Sequence, residues 1–308
     1  MKYKLPYLLC IIAVALVLSS QQAFALSSTV VYINPPNDYT PTLSGTGPIS
    51  ASENVTSDNG FETRSAYAFA DYGVLKVTGA AAYSPGMGIS EGARATWADS
   101  LTISTSGLSG TGVMTVPISF SGSLSGSATL HRNYNQWGDD LGDRDSVVYS
   151  VGDFHISSST TGALFAGWAQ RVSSAGGSSI EEYHWEGNYS LYTADLQPGW
   201  TGTFPIDIHF IFGEPFSLTA ALGGGIRATT RGGEGVASGA FDLGNSLYWG
   251  GITSIRDSSG NLLTSYDVAS ESGHDWTKSS SVPEPGTMLL LGSGLVGLAG
   301  YGRRRFKK

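Results

Sequence analysis

Three short stretches of this chain bring together residue types that do chemistry. The first, Asp139-Asp140-Leu141-Gly142-Asp143-Arg144-Asp145, sets four carboxylates in seven residues around a glycine. Oxygen donors at such density suit Ca²⁺. The spacing differs from an EF-hand loop, no Glu closes a twelve-residue cycle and Arg144 intrudes, so a solvated loop is the expectation and Asp139, Asp140, Asp143 and Asp145 form a weak metal candidate. The second stretch is Glu181-Glu182-Tyr183-His184-Trp185-Glu186-Gly187-Asn188-Tyr189. On a strand, Glu182, His184 and Glu186 share one face, while Tyr183 and Trp185 share the other. No second histidine is spaced to complete a metal site, and Trp185 reads as core. The third, Asn133-Tyr134-Asn135-Gln136-Trp137-Gly138, places aromatics beside amides. Rings stack on the C–H faces of sugars and amides bond hydroxyls, so Tyr134, Trp137, Tyr183 and Trp185 are candidate carbohydrate contacts. The plainer reading of Tyr134 and Trp137 is a loop tucked against a sheet edge.

No linear catalytic signature accompanies them. The chain lacks an H-E-x-x-H helix and any Cys after position 10 to serve as nucleophile. Gly223-Gly224-Gly225 and Gly232-Gly233 lack the strand-to-helix context of a phosphate loop and read as turns. No spacing singles out a carboxylate pair for glycoside hydrolysis. The expectation is a protein without catalytic residues, cofactor or metal.

The elements that position these stretches read as strands. Gly, Ser, Thr and aromatics are abundant and Lys, Glu and Leu sparse, which disfavours helix. Short alternating runs recur at 74–77, 93–103, 113–120, 147–156, 181–192, 203–211 and 216–222. In Ile206-Asp207-Ile208-His209-Phe210 the apolar and polar residues take opposite faces at period 2. Residues 104–112 and 120–127 read as Gly/Ser turns flanking one strand. The fold class is all-β, an antiparallel β-sandwich or jelly-roll-like ectodomain spanning residues 26–270. Residues 271–282, with Ser279-Ser280-Ser281, read as a flexible spacer.

Both ends read as signals rather than fold. Lys2 and Lys4, the apolar run from Leu8 to Leu18, and Ala23-Phe24-Ala25 make a Sec-type signal peptide over residues 1–25. It implies the Sec translocon and signal peptidase as partners, with Ala23 and Ala25 at the cleavage site. The only cysteine, Cys10, lies inside it, so the mature chain holds no disulfide. At the other end, Val282-Pro283-Glu284-Pro285 precedes a charge-free apolar stretch of 16 residues, Thr287 to Gly302, and then Arg303-Arg304-Arg305-Phe306-Lys307-Lys308. The two prolines keep the motif extended. The apolar stretch is slightly short of the roughly 20 residues that cross an ordinary bilayer. The cations stop transfer and stay on the cytoplasmic side.

This order of extended motif, membrane helix (287–302) and Arg cluster resembles the PEP-CTERM sorting domain over residues 283–308, about a tenth of the chain. That domain is found in exported proteins of Gram-negative bacteria that make exopolysaccharide. The resemblance implies that an exosortase, a membrane cysteine protease, recognises Pro283-Glu284-Pro285 and cuts near it. It further implies passage through the inner membrane to the cell surface or extracellular matrix, and association with exopolysaccharide in a biofilm. The stretch 235–266, with its turn at Asp257-Ser258-Ser259-Gly260-Asn261, resembles the last hairpin before the tail in such proteins. An alternative is a carbohydrate-binding module or carbohydrate-active enzyme displayed by the same route.

Charge narrows the partners. The full chain carries 17 basic and 25 acidic residues; without the two cations of the signal peptide and the five cations and one acid of residues 283–308, 10 and 24 remain, a net charge of −14. Such a surface repels nucleic acid and anionic lipid.

Overall fold

A computed structural model of the chain describes residues 27–280, apart from 34–41, 58–61, 84–87, 130, 135–139, 145–146, 175–178, 188–199 and 230–235. The signal peptide and the sorting tail therefore lie outside the described residues, as do Trp137, Asp139 and Asp145.

Every described element is a strand. In chain order they are β1 (Ser28–Ile33), β2 (Leu43–Gly45), β3 (Ile49–Thr56), β4 (Glu62–Asp71), β5 (Val74–Tyr83), β6 (Gly88–Ser104), β7 (Thr111–Ala128), β8 (His131–Tyr134), β9 (Asp140–Arg144), β10 (Val147–Ser158), β11 (Gly162–Ser174), β12 (Ser179–Gly187), β13 (Trp200–Ile211), β14 (Pro215–Thr229), β15 (Ala237–Trp249), β16 (Ser254–Asp257) and β17 (Asp267–Ser270). All pairings are antiparallel. One sheet has eight strands in the order β12-β11-β10-β14-β6-β1-β2, with β17 also on β6. A second has seven, β13-β7-β15-β5-β4-β3, with β16 also on β7. The hairpin β8-β9 stands apart.

Alternation explains which side of each strand faces in. In β6, Ala93, Ala95, Trp97, Asp99, Leu101 and Ile103 are buried, and the residues that alternate with them are partly exposed or exposed. β7 does the same with Met114, Val116, Ile118 and Phe120, and β14 with Phe216, Leu218, Ala220, Leu222 and Ile226. These inward rows meet in one apolar core between the two sheets. Burial of alternate residues is what a period of two delivers when one face of each sheet is covered.

Three expectations need correction. Residues 120–127 form the second half of β7, not a turn: Leu124 lies opposite Phe241, Ser125 opposite Ala240 and Gly126 opposite Gly239. Gly223, Gly224 and Gly225 lie within β14, between β6 and β10, again not a turn. In both places neighbouring strands supply the ladder that Gly and Ser do not favour by themselves. The third correction is the supposed spacer. Residues 271–280 pack on the body, with Trp276 wholly buried, so the folded domain extends at least to Ser280.

The turn at 257–261 forms as expected. Asp257 Oδ1 accepts from Ser259 N and Asn261 N, its Oδ2 accepts from Asn261 Nδ2, and Gly260 takes φ 84°. These donors, led by the Asn261 amide, hold the Asp257 carboxyl below its ordinary range.

Candidate functional site

The residues just before the sorting tail build the most elaborate polar and aromatic cluster among the described residues. It starts on β6, where Asp99 sits between Trp97 and Leu101 on the inward side, fully buried. A buried carboxylate requires donors to replace lost water. β17 runs along β6 as far as Ser270, which pairs with Leu101, and Glu271 N then donates to Ser100 O. The chain turns at Gly273 (φ 75°), which brings Ser272 onto Asp99. Asp99 Oδ1 accepts from Ser272 N (3.1 Å) and Ser100 N (2.9 Å). Its Oδ2 accepts from the Ser272 hydroxyl (2.5 Å) and from the Trp276 indole (2.7 Å).

Trp276 then wedges between the sheets. Its ring centroid is 4.8 Å from that of Trp97 on the large sheet and 4.9 Å from that of Trp249 on the small one. Its carbonyl accepts from the Trp249 indole at 2.8 Å. Beyond it, Thr277–Ser279 pass over Gly251 (φ 83°), where an added Cβ would come within 2.8 Å of the Thr277 carbonyl. Ser280 N donates to Trp249 O at 2.8 Å. Edge-on aromatic pairs and charge-assisted hydrogen bonds both strengthen away from water. Among the described residues, the result is a clamp that holds the chain through Ser280. On the surface of the same turn, Lys278 bonds Asp275 at 2.7 Å and holds its carboxyl down to about 2.

The outer face of the large sheet carries a second cluster, assembled by register. One row runs Tyr32, Arg94, Gly223, Asp153, Trp168 and His184 across β1, β6, β14, β10, β11 and β12. Asp153 lies over Gly223, for a Cβ added there would meet Asp153 Oδ1 at 2.4 Å. Burial pushes the Asp153 carboxyl up, against the pull of Arg94 and His155. The sequence separations among Arg94, Asp153 and Gly223 are large, and no linear motif announces them.

Between the sheets, Arg64 on β4 faces Glu91 on β6 (Nε–Oε2 3.5 Å), with Glu53 at 3.5 Å and Glu62 at 4.0 Å. Burial of Glu91 is the main reason its pKa is raised. A shallow cavity of about 290 Å³ nearby is lined by Asn54, Thr56, Thr63, Arg64, Ala81 and Ser238. Glu91 is 1 % exposed whereas Arg64, Glu53 and Glu62 are partly exposed, so the cluster runs from the core edge to the surface.

The candidates read from sequence fall as follows. Tyr134 ends β8 opposite Asp140 on β9, and Arg132 lies opposite Asp143, so an aromatic and an acidic candidate share one hairpin. The acidic stretch is thus partly strand rather than wholly loop. Tyr183 and Trp185 occupy β12, an edge strand, opposite Ala169 and Gly167. Gly167 in turn pairs with Phe154 of the core, whereas His184 and Glu186 continue the rows of Asp153 and His155. Among the described residues, no three His, Cys, Asp or Glu are grouped as a metal site. Ala23, Ala25, Val282, Pro283, Glu284, Pro285 and Arg303–Arg305 lie outside the described residues.

A linear signal follows the clamp in sequence. The chain carries a PEP-CTERM protein-sorting motif at residues 281–305. It implies processing by an exosortase, export, and a membrane-associated route to the cell surface. The PEP-CTERM motif thus starts one residue past Ser280, the last described residue, which is bonded to the body. No curated protein and no solved structure matches the chain.

One consequence of the outer-face cluster is a pH dependence. A carboxyl whose folded pKa is raised binds more protons folded than unfolded, so its stabilising contribution is complete below the unfolded pKa and is lost as pH rises through the folded one. Asp153→Asn should therefore be more stable than the parent at pH 7, and that advantage should shrink as pH falls through the raised Asp153 pKa. Thermal melts of both proteins from pH 3.5 to 7 check this; a difference that does not vary with pH would contradict the assignment.

Proposed function

We propose that this chain is a non-enzymatic cell-surface or matrix protein of a Gram-negative bacterium. In this reading the Sec translocon exports it, signal peptidase trims it after Ala25, and an exosortase cuts it near Pro283-Glu284-Pro285. Its two packed sheets, a sandwich of jelly-roll type, then associate without covalent bonds with exopolysaccharide. The PEP-CTERM motif carries the sorting half of this reading.

The carbohydrate half is supported by the outer face of the large sheet. There Asp153 lies over Gly223 and Arg94 stands opposite Gly223 in register, with Tyr32 at one end of the row and Trp168 at a register position beyond. Guanidinium, carboxylate and aromatic groups are those that bond sugar hydroxyls and stack on sugar rings. A net charge of −14 favours neutral or amino-bearing glycans over strongly anionic ones.

Mass spectrometry of the surface form tests the sorting. The expected C-terminus lies between Val282 and Gly286, with no peptide from Leu289 onward. Pro283→Ala with Pro285→Ala should leave full-length protein in the inner membrane. Arg303 recovered on the mature surface protein would refute the cut. Co-sedimentation with the cell's own exopolysaccharide tests the second half: Arg94→Ala with Asp153→Asn should abolish it, and unchanged binding would move the contact elsewhere.

A further inference from the structure

We propose that the clamp built by Asp99, Trp249 and Trp276 withholds residues 277–280 from the exosortase, so that cutting at the PEP-CTERM motif proceeds only after this tail lifts. The inference rests on processing by an exosortase and adds what controls it.

Reach limits access to the motif. Ser280 is bonded to Trp249 O, and the apolar stretch begins at Thr287. Seven residue steps separate them, at most roughly 25 Å of extended chain. Within that distance lie a folded domain on one side and a bilayer on the other. A protease cleft takes its substrate as an extended strand that reaches several residues to either side of the cut. On the N-terminal side of Pro283 those residues include Lys278, Ser279 and Ser280. The clamp already holds them: Thr277–Ser279 lie on Gly251 with no room for a Cβ, and the Ser280 amide is spent on Trp249. Enzyme and body therefore compete for one segment.

Lifting the tail from Ser270 onward frees ten more residues and roughly doubles the reach. It also exposes the Trp276 ring and leaves the Asp99 carboxylate short of three of its four donors. The lifted form is therefore a minor population, and the rate of cutting scales with that population. After the cut, the same contacts close again over the new C-terminus, because every one of them lies before Ser281. Trp276 and Asp99 are positioning residues in this scheme and touch no reacting atom.

The test uses the full-length chain co-expressed with an exosortase, with the cut followed by pulse-chase. Inserting about six Gly/Ser residues between Ser280 and Ser281 leaves the clamp intact and supplies free chain before the motif. Cutting should accelerate by about tenfold or more, with the melting temperature of the domain unchanged. Trp276→Phe should also accelerate cutting in the parent chain, and should add nothing in the insertion background. Unchanged or slower cutting of the insertion variant overturns the inference while leaving exosortase processing in place. Absence of cutting in every variant, including the parent, overturns the processing itself and the inference with it.

Discussion

Trp276→Ala should destabilise the domain by about 3–5 kcal/mol, the range for removing a buried large aromatic. At this domain size the melting temperature of residues 26–280 should fall by roughly 6–20 °C. The ring is fully buried, touches the indoles of Trp97 and Trp249 and the imidazole of His274, and donates to Asp99. Its loss opens a cavity and removes one of the four donors that let a carboxylate sit in the core. The penalty for leaving a buried charge short of partners adds to the cavity term. Lys278→Ala provides the contrast: its partner Asp275 is exposed, and the change should stay within the scatter of surface substitutions. Truncation after Ser270 should cost at least as much as Trp276→Ala. If truncation leaves the melt unmoved, residues 271–280 are a spacer after all.

How much of this was legible in the sequence depends on the range over which each feature is written. Strand runs such as 93–103 and 203–211 were legible because period two is a local property and both lie wholly within observed strands. So was the turn at Asp257, whose partners Ser259 and Asn261 lie within four residues. The sorting motif is linear because an enzyme reads it as an extended peptide. The clamp is not: Trp276 meets Trp249 across 27 residues and Asp99 across 177. A lone tryptophan in a run of Ser, Gly, His and Asp was the single local hint, and that run carries no period. The outer-face row fails for the same reason, since Arg94, Asp153 and Gly223 become neighbours only through strand register. Tyr134 and Trp137 stand closer in sequence, but Trp137 lies outside the described residues.

The glycines of β14 were misread because the feature that demands them lies on the other sheet. A Cβ on Gly224 would fall 2.3 Å from Cδ2 and 2.5 Å from Cε2 of Phe241, which projects from β15 and is 1 % exposed. A Cβ on Gly79, the residue opposite Phe241 on β5, would fall 2.5 Å from Cε1 and Cζ of the same ring. The ring thus occupies a slot cut by two glycines, one from each sheet. Gly224→Val should cost about 3 kcal/mol, the upper end for overpacking, since the ring has no empty side to move toward. Phe241→Ala alone should cost about 3–5 kcal/mol. The decisive measurement is the double-mutant cycle by urea denaturation: in the absence of the ring, valine fills space rather than colliding. The pair should therefore cost less than the sum of the singles, by about 1–3 kcal/mol. Gly47→Ala, where no atom lies within 4 Å of the added Cβ, serves as the control and should change little. Strict additivity of Gly224→Val and Phe241→Ala would mean that the ring does not lie in this slot, and the register of β14 against the small sheet would have to be redrawn.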